Sequence, residues 1–469
     1  MKNKLFFLTV LSLFSLSVSG QNERFTGTWE GTLQAGVDLK IVFHIAKDGK
    51  VKADSPDQSA FGLPCSDAII NQNEIRFEIT EVKASYTGKL VNDSTMEGIF
   101  TQGVDLPLSL KKKGNPGLRK RPQTPLPPFP YSTEEVIYPN ADSTLRFGAT
   151  LSIPAGKGPF PAVVLITGSG PQNRDEEILG HKFFMVLADH LTRNGILVLR
   201  ADDRGVGKST GNFSKATSED FAKDISTHVD YLLTRNEVNK KWIGLIGHSE
   251  GGMIAPMVAA ARKDIAFLVL MAGPGVKCMD LLVEQNVAIA RTAGTSEAAM
   301  DGLRTLFRKM ATAVLATADM KTAFASASAI ADDWAAQTDS SIQQSLGVET
   351  KKKRDQYVRS LVLEFQTPWF RYFLQFDPAP WLQKIKCPVL AINGEKDIQV
   401  ISGQNLPGMK AALKKSKSKN YEVKELPGLN HLFQTCTACN TGEYGELEET
   451  LSPLALNSIS EWLGRIIPK

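Results

Sequence analysis

Residues 241–255 read KWIGLIGHSEGGMIA, from Lys241 to Ala255, and everything else in the chain has to be compatible with that stretch. Ile243 to Ile246 is a short apolar strand, and a helix is predicted to start near Gly251. Between them lies Gly247-His248-Ser249-Glu250-Gly251. A strand that reverses directly into a helix pinches one residue into a sparsely populated φ/ψ region, so the residues two away on either side must lack side chains. Ser249 is the pinched residue, and its hydroxyl is expected at the top of a sheet. The backbone N–H of Glu250 points into the same space from a helix start, where donors lack partners. A plain glycine–serine turn would carry similar letters; the strand before and the helix after set this one apart.

Working outward, short apolar runs without alternation recur at Ala162–Ile166, Ile196–Leu199, Phe267–Leu270 and Val389–Ile392. Strands buried on both faces look like this, which implies a largely parallel sheet. Amphipathic segments predict helices over Glu177–Arg193, Glu219–Arg235, Gly251–Arg262 and about Pro453–Ile466, giving a doubly wound α/β architecture. Two further strands, Glu134–Tyr138 and Leu145–Ile153, should form a hairpin ahead of it. One block breaks the alternation: Val276 to about Lys386 is alanine-rich, with helical periodicity over Met300–Ala316, Lys321–Ala336 and Arg354–Phe365. It reads as a helical cap inserted over the sheet. Its aromatic end, Thr367–Trp381, suits either packing of cap on core or an apolar acyl pocket.

At 469 residues the chain exceeds what one core serves, so more than one domain is expected. Residues 21–113 alternate apolar and polar, with turn signals such as Lys47-Asp-Gly49, which predicts a small antiparallel barrel or sandwich. Residues 114–132 form a proline-rich linker, and 133–469 the α/β domain with its cap at 276–386. Met1–Gly20 has a basic start, an apolar run from Leu5 to Val18 and small residues at its end, as a secretory signal peptide does. No cysteine lies near that site to carry a lipid, and no other stretch is long and apolar enough for a span. The expected product is therefore exported to the periplasm or outside the cell. The net charge of +4 forms no basic stripe that would suggest nucleic acid. Of five cysteines, Cys436 and Cys439 are placed for a small disulfide loop or for free thiols; a zinc site would need two more ligands.

A serine hydroxyl needs a positioned base. Of the six histidines, His44 falls in the β module. His181, His190 and His228 fall on helices flanking the sheet, and His248 sits in the elbow, aimed away from the line of attack. His431 remains, in a loop directly after the strand Tyr421–Val423. A carboxylate should hold its tautomer. Asp397, after the strand Val389–Ile392, is the best placed, with Glu395 on the same turn and Asp280 after the preceding strand as alternatives. The second backbone donor for an oxyanion is expected from Ser169, in Thr167-Gly168-Ser169-Gly170, beside Glu250. Asp202–Thr210 invites a phosphate-loop reading, but the first glycine of that motif would fall at Asp202; Asp203 and Arg204 are expected to brace neighbouring loops instead.

On these residues, from about Thr133 to Lys469, the chain resembles the α/β-hydrolase superfamily, and within it exported bacterial serine esterases bearing G-H-S-E-G-G elbows and G-S-G-P-Q-x-R-D oxyanion loops. The resemblance implies a triad of Ser249, Asp397 and His431 that cleaves a small carboxylic ester through an acyl-enzyme, with no metal or cofactor. Thr167 stands where that family often has histidine. The same triad serves peptidases resembling the prolyl oligopeptidases, but about 90 residues of β module cannot build their propeller. A reading from another class has the β module grip a glycan or lipid while the second domain is idle; its opening Gly27-Thr28-Trp29 resembles the first strand of lipocalin-like barrels.

Overall fold

A computed structural model describes residues 24–35, 38–58, 60–113 and 121–468, and the chain divides into two compact units between Arg119 and Lys120. The expected leader, Met1–Gly20, lies outside the described residues.

In the smaller unit nine strands follow one another: β1 (Gly27–Gln34), β2 (Asp38–Ile45), β3 (Val51–Ser55), β4 (Ala60–Pro64), β5 (Ile69–Asn71), β6 (Glu74–Ile79), β7 (Ala84–Asn92), β8 (Thr95–Thr101) and β9 (Asp105–Lys112). They form one antiparallel sheet in the order β4-β3-β2-β1-β9-β8-β7-β6-β5. Alternation decides its inner face: on β6, Ile75, Phe77 and Ile79 are buried while Glu74, Arg76 and Glu78 are exposed. The inner side chains pack on one another. The Phe43 ring lies 4.8 Å from Phe77 and 5.3 Å from Tyr86, and the Trp29 indole N–H donates to the Phe25 carbonyl at 2.7 Å. Each such large apolar side chain, once buried, stabilises the fold by about 2–3 kcal/mol.

In the larger unit the hairpin of β10 (Ser132–Pro139) and β11 (Arg146–Ile153) leads to β12 (Phe160–Ile166). The remaining strands are a two-residue ribbon, β13 (Glu177–Ile178) with β14 (His181–Lys182), then β15 (Leu197–Ala201), β16 (Val238–His248), β17 (Ile265–Met271), β18 (Val389–Gly394) and β19 (Tyr421–Leu426). The eight-stranded main sheet runs β10-β11-β15-β12-β16-β17-β18-β19. It is mixed: β10 and β11 pair antiparallel, β11 meets β15 antiparallel, and every pair from β15 to β19 is parallel. The loops after β12, β16, β18 and β19 therefore emerge on one edge.

Helices cover both faces. They are α1 (Phe183–Arg193), α2 (Ser218–Thr234), α3 (Gly251–Ala261), α4 (Cys278–Thr292), α5 (Glu297–Leu315), α6 (Met320–Gln337), α7 (Ser340–Ser345), α8 (Lys351–Phe365), α9 (Pro368–Gln375), α10 (Ala379–Leu382), α11 (Ser402–Lys414) and α12 (Pro453–Ile466). The inserted block 276–386 is helical, as expected. Its α5 and α6 carry cap residues whose side chains accept the helix's own N–H, Ser296 from Ala299 and Asp319 from Thr322, satisfying donors that a helix start leaves open.

One expectation needs correcting. The helix predicted from Glu177 begins only at Phe183, because Leu179 and Gly180 adopt positive φ (51° and 80°) and fold 177–182 into the small ribbon. His181 is thus not helical. The described part of the proline-rich stretch is anchored: Arg121 donates to the carbonyls of Leu447, Leu179 and Gly445, and Gln123 bonds the backbone of Thr450 and Leu451. No helix among the described residues is long and apolar enough to cross a membrane.

Candidate active site

β16 pairs in parallel with β12 from Ala162↔Ile243 to Ile166↔Gly247, and with β17 up to His248↔Met271, so Ser249 leaves the middle of the sheet. Its φ is +52°, a left-handed conformation that costs a residue with a side chain on the order of 1–3 kcal/mol. The turn is locked by the Ser249 N–H donating to the Met271 carbonyl at 2.8 Å and by the Gly252 N–H donating to the Ser249 carbonyl at 2.9 Å. Glycine is obligatory on both sides. A Cβ on Gly247 would lie 2.0 Å from the Gly251 carbonyl oxygen, and one on Gly251 would lie 2.1 Å from that of Ile166.

The His431 Nε2 lies 3.1 Å from the Ser249 hydroxyl, and its Nδ1 lies 2.8 Å from Asp397 Oδ2. His431 is placed by a tight loop after β19. Leu429 bridges Thr435, the Asn430 N–H donates to the Gln434 carbonyl, and the two side chains bond each other. Asp397 is buried, and its other oxygen accepts the backbone N–H groups of Gln399 and Val400 at 2.8 Å each. The alternatives lie elsewhere. Glu395 is exposed, accepting the Gly428 N–H and pairing with Lys396, and Asp280 pairs with Arg308 of α5.

Gly168 approaches so closely that a Cβ there would lie 3.3 Å from the Ser249 Cβ. Its own N–H is taken by Glu176 at 2.7 Å. Among the described residues, no acceptor bonds the backbone N–H of Ser169 or of Glu250. Those two donors remain for an incoming oxygen. The loop carrying Ser169 is braced from behind: Asp203 accepts the Thr167 hydroxyl at 2.8 Å and the Gln172 N–H at 2.9 Å, while Arg204 forks onto Asp224 at 2.6 Å. In the stretch that resembles a phosphate loop, the Asp202 carboxylate itself accepts the Lys208 N–H and the Arg174 guanidinium, so the anion there is internal.

His248 is oriented away from Ser249, and the structure gives it a partner invisible in the sequence. Nδ1 faces Glu176 Oε1 at 2.9 Å and Nε2 faces the His431 carbonyl at 3.0 Å. Both partners are acceptors, an arrangement that suits a ring donating from both nitrogens. Burial pulls its pKa down, but the Glu176 carboxylate and the carbonyl outweigh burial, and the net direction is up. Glu176 thereby joins the Gly168 loop to the backbone of His431. Its sequence neighbours, Asp175 and Glu177, gave no way of telling which carboxylate turns inward. Cys436 and Cys439 form a disulfide a few residues beyond His431, and the loop they close is also held by Glu443, which accepts the N–H groups of Thr437 and Cys439. The aromatic end of the cap packs cap on core: Trp369, Tyr372, Phe373, Phe376 and Trp381 gather around Met253 and Met257 of α3, with Cys278, Leu281 and Val400.

With this geometry in hand, comparison with known proteins is informative. A family model described as serine aminopeptidase, S33, matches residues 181–435, more than half of the chain. The chain is similar to esterase EstD of Thermotoga maritima, 25% identical over 284 residues, which is 60% of this chain and 57% of that protein. It thus spans little more than half the length of that relative. Among solved structures, it is similar to an esterase of Pyrococcus furiosus (14% identity, 72% of this chain and 90% of that one, TM-score 0.43). It is also similar to Est1E of Butyrivibrio proteoclasticus with ferulic acid bound (18%, 71% and 100%, TM-score 0.40).

Proposed function

The chain belongs to the serine aminopeptidase S33 family, and from that premise we propose that it is a serine hydrolase cleaving carboxylic esters through an acyl-enzyme. The observation that carries the reading is the unbroken chain from the Ser249 hydroxyl through His431 to Asp397, beside two backbone N–H groups that have no acceptor among the described residues. In the proposed reaction His431 Nε2 takes the hydroxyl proton as Ser249 attacks the ester carbonyl, and Asp397 stabilises the imidazolium that forms. The N–H groups of Ser169 and Glu250 receive the oxyanion, a contribution of about a hundredfold or more in rate for each donor. The imidazolium returns its proton to the leaving alkoxide, and His431 then activates water to release the acid. None of these steps draws on a metal or cofactor.

The similarity to EstD supports the ester as substrate, whereas the family description favours a second reading, hydrolysis of an aminoacyl amide. Turnover of p-nitrophenyl acetate and butyrate against an aminoacyl p-nitroanilide decides between them. The ester reading expects kcat/KM higher for the esters and lost in Ser249→Ala; higher kcat/KM for the anilide overturns it. Export is part of the proposal, supported by the leader-like Met1–Gly20 and by the disulfide of Cys436 and Cys439, which suits an oxidising compartment. Amino-terminal sequencing of the protein from culture fractions tests it: the reading expects a start after Gly20 outside the cytoplasm, and an intact Met1 within it is the contrary result.

A further inference from the structure

The residue after the candidate nucleophile carries a side chain that a backbone oxyanion role does not require. Glu250 is 2% exposed, and donors from two separate elements converge on its carboxyl group. The Ser218 hydroxyl, in the first turn of α2, donates to Oε1 at 2.6 Å. The Trp369 indole N–H, on α9 of the cap, donates to the same oxygen at 2.8 Å. Among the described residues no lysine or arginine pairs with it, and burial moves its pKa upward against the effect of its hydrogen-bond donors. A buried carboxyl without a cation is costly unless it is fully hydrogen-bonded, so each donor matters.

We propose that Glu250 is a positioning residue that makes the oxyanion hole depend on docking of the cap: its carboxyl, bonded to the Trp369 indole of α9 and to the Ser218 hydroxyl of α2, fixes the backbone N–H of the same residue, one of the two donors proposed for the oxyanion. The inference rests on the esterase reading above. One residue then serves twice, its N–H receiving the substrate oxygen and its side chain fixing that N–H against the cap. Trp369 is suited to reporting the cap's position. Its ring stacks on Phe373 at 5.0 Å and meets Phe370 edge-on at 4.6 Å, so the indole moves only when α9 moves. Because hydrogen-bond strength falls steeply with misalignment, loosening Glu250 lowers the rate of the chemical step more than it lowers substrate binding.

The test uses Trp369→Phe, which keeps an aromatic ring on Phe373 and removes only the donor, together with Ser218→Ala, the double variant, Glu250→Gln and Glu250→Ala. Two readouts are followed on the full chain: kcat and KM for p-nitrophenyl butyrate, and the rate at which a fluorophosphonate labels Ser249. The proposal expects kcat and labelling to fall about tenfold in Trp369→Phe with KM within about twofold, and about a hundredfold in Glu250→Ala. Glu250→Gln, which still accepts these hydrogen bonds, should recover most of the rate. The losses in Ser218→Ala and Trp369→Phe should not multiply in the double variant, since both act through one carboxyl oxygen. If wild type is labelled and Trp369→Phe matches it, or changes only KM or melting temperature, the proposal is overturned while the esterase reading stands. If wild type is neither labelled nor active on esters, both fall.

Discussion

Exchanging Asp397 for asparagine replaces one carboxylate oxygen with an NH2 group and should abolish the candidate base without disturbing the fold. Oδ1 accepts the N–H groups of Gln399 and Val400, both at 2.8 Å, and Oδ2 takes the His431 Nδ1–H at 2.8 Å. Two backbone donors fix which end of an amide can face them: the oxygen stays at Oδ1 and the NH2 group turns to His431. The imidazole must then accept at Nδ1 and carry its proton on Nε2, where it can only donate to the Ser249 hydroxyl. The expected loss in kcat is about 10⁴-fold, the size of the same tautomer effect in other serine hydrolases, which is about 5 kcal/mol of barrier. Since all three hydrogen bonds to residue 397 survive in number, the melting temperature should hold within a degree or two. Asp397→Ala is the contrast: it strands two buried N–H groups and should cost about 1–3 kcal/mol of stability as well. Kinetics on p-nitrophenyl butyrate beside thermal melts read both effects. A loss below about tenfold in Asp397→Asn would refute the reasoning, since tautomer control would then not matter.

Three further outcomes are expected. Gly251→Ala should fail to fold or lose activity altogether, because a Cβ 2.1 Å from the Ile166 carbonyl cannot be accommodated by backbone on both sides; soluble expression with wild-type turnover would contradict the elbow. Burial holds His181 down at about 4, aided by Arg121, and His228 at about 3. Both folded values lie below the unfolded 6.5, so the unfolded chain binds more protons and stability falls as pH drops from 6.5 towards those values, by about 2 kcal/mol for the pair between pH 6.5 and 5.5. His248, shifted the other way, offsets part of this, and His228→Gln should flatten the fall in denaturant midpoint between pH 6.5 and 5. The disulfide of Cys436 and Cys439 closes so small a loop that its removal in Cys436→Ser with Cys439→Ser should cost no more than about 2 kcal/mol, with activity retained because Glu443 still holds the loop; the midpoint and kcat of the double variant check this.

The elbow was legible because its constraints are local: two glycines, one serine, a strand and a helix within a dozen residues. His431 emerged because a strand-terminal loop is where a base must sit, and its neighbours Asn430 and Gln434 close that loop by themselves. Asp397 was harder. Glu395 shares its turn, and what separates them is that the N–H groups of Gln399 and Val400 draw one carboxylate inward, a fact of backbone path and not of composition. The helix expected over Glu177–Arg193 fails in its first turn because Gly180 permits a left-handed backbone that apolar periodicity does not register; Gly180 was itself the available signal. Nothing local foretells that Glu176 meets His248 across 72 positions or that Trp369 meets Glu250 across 119. Such pairs exist only once the parallel strands have brought their loops to one edge.

The most direct test of the account is covalent. A fluorophosphonate should react once per chain, and digestion with trypsin should place the adduct on the peptide from Trp242 to Arg262, at Ser249. Labelling should vanish in Ser249→Ala and fall by orders of magnitude in His431→Ala. An adduct on any other residue, or ester turnover that survives Ser249→Ala, would contradict it.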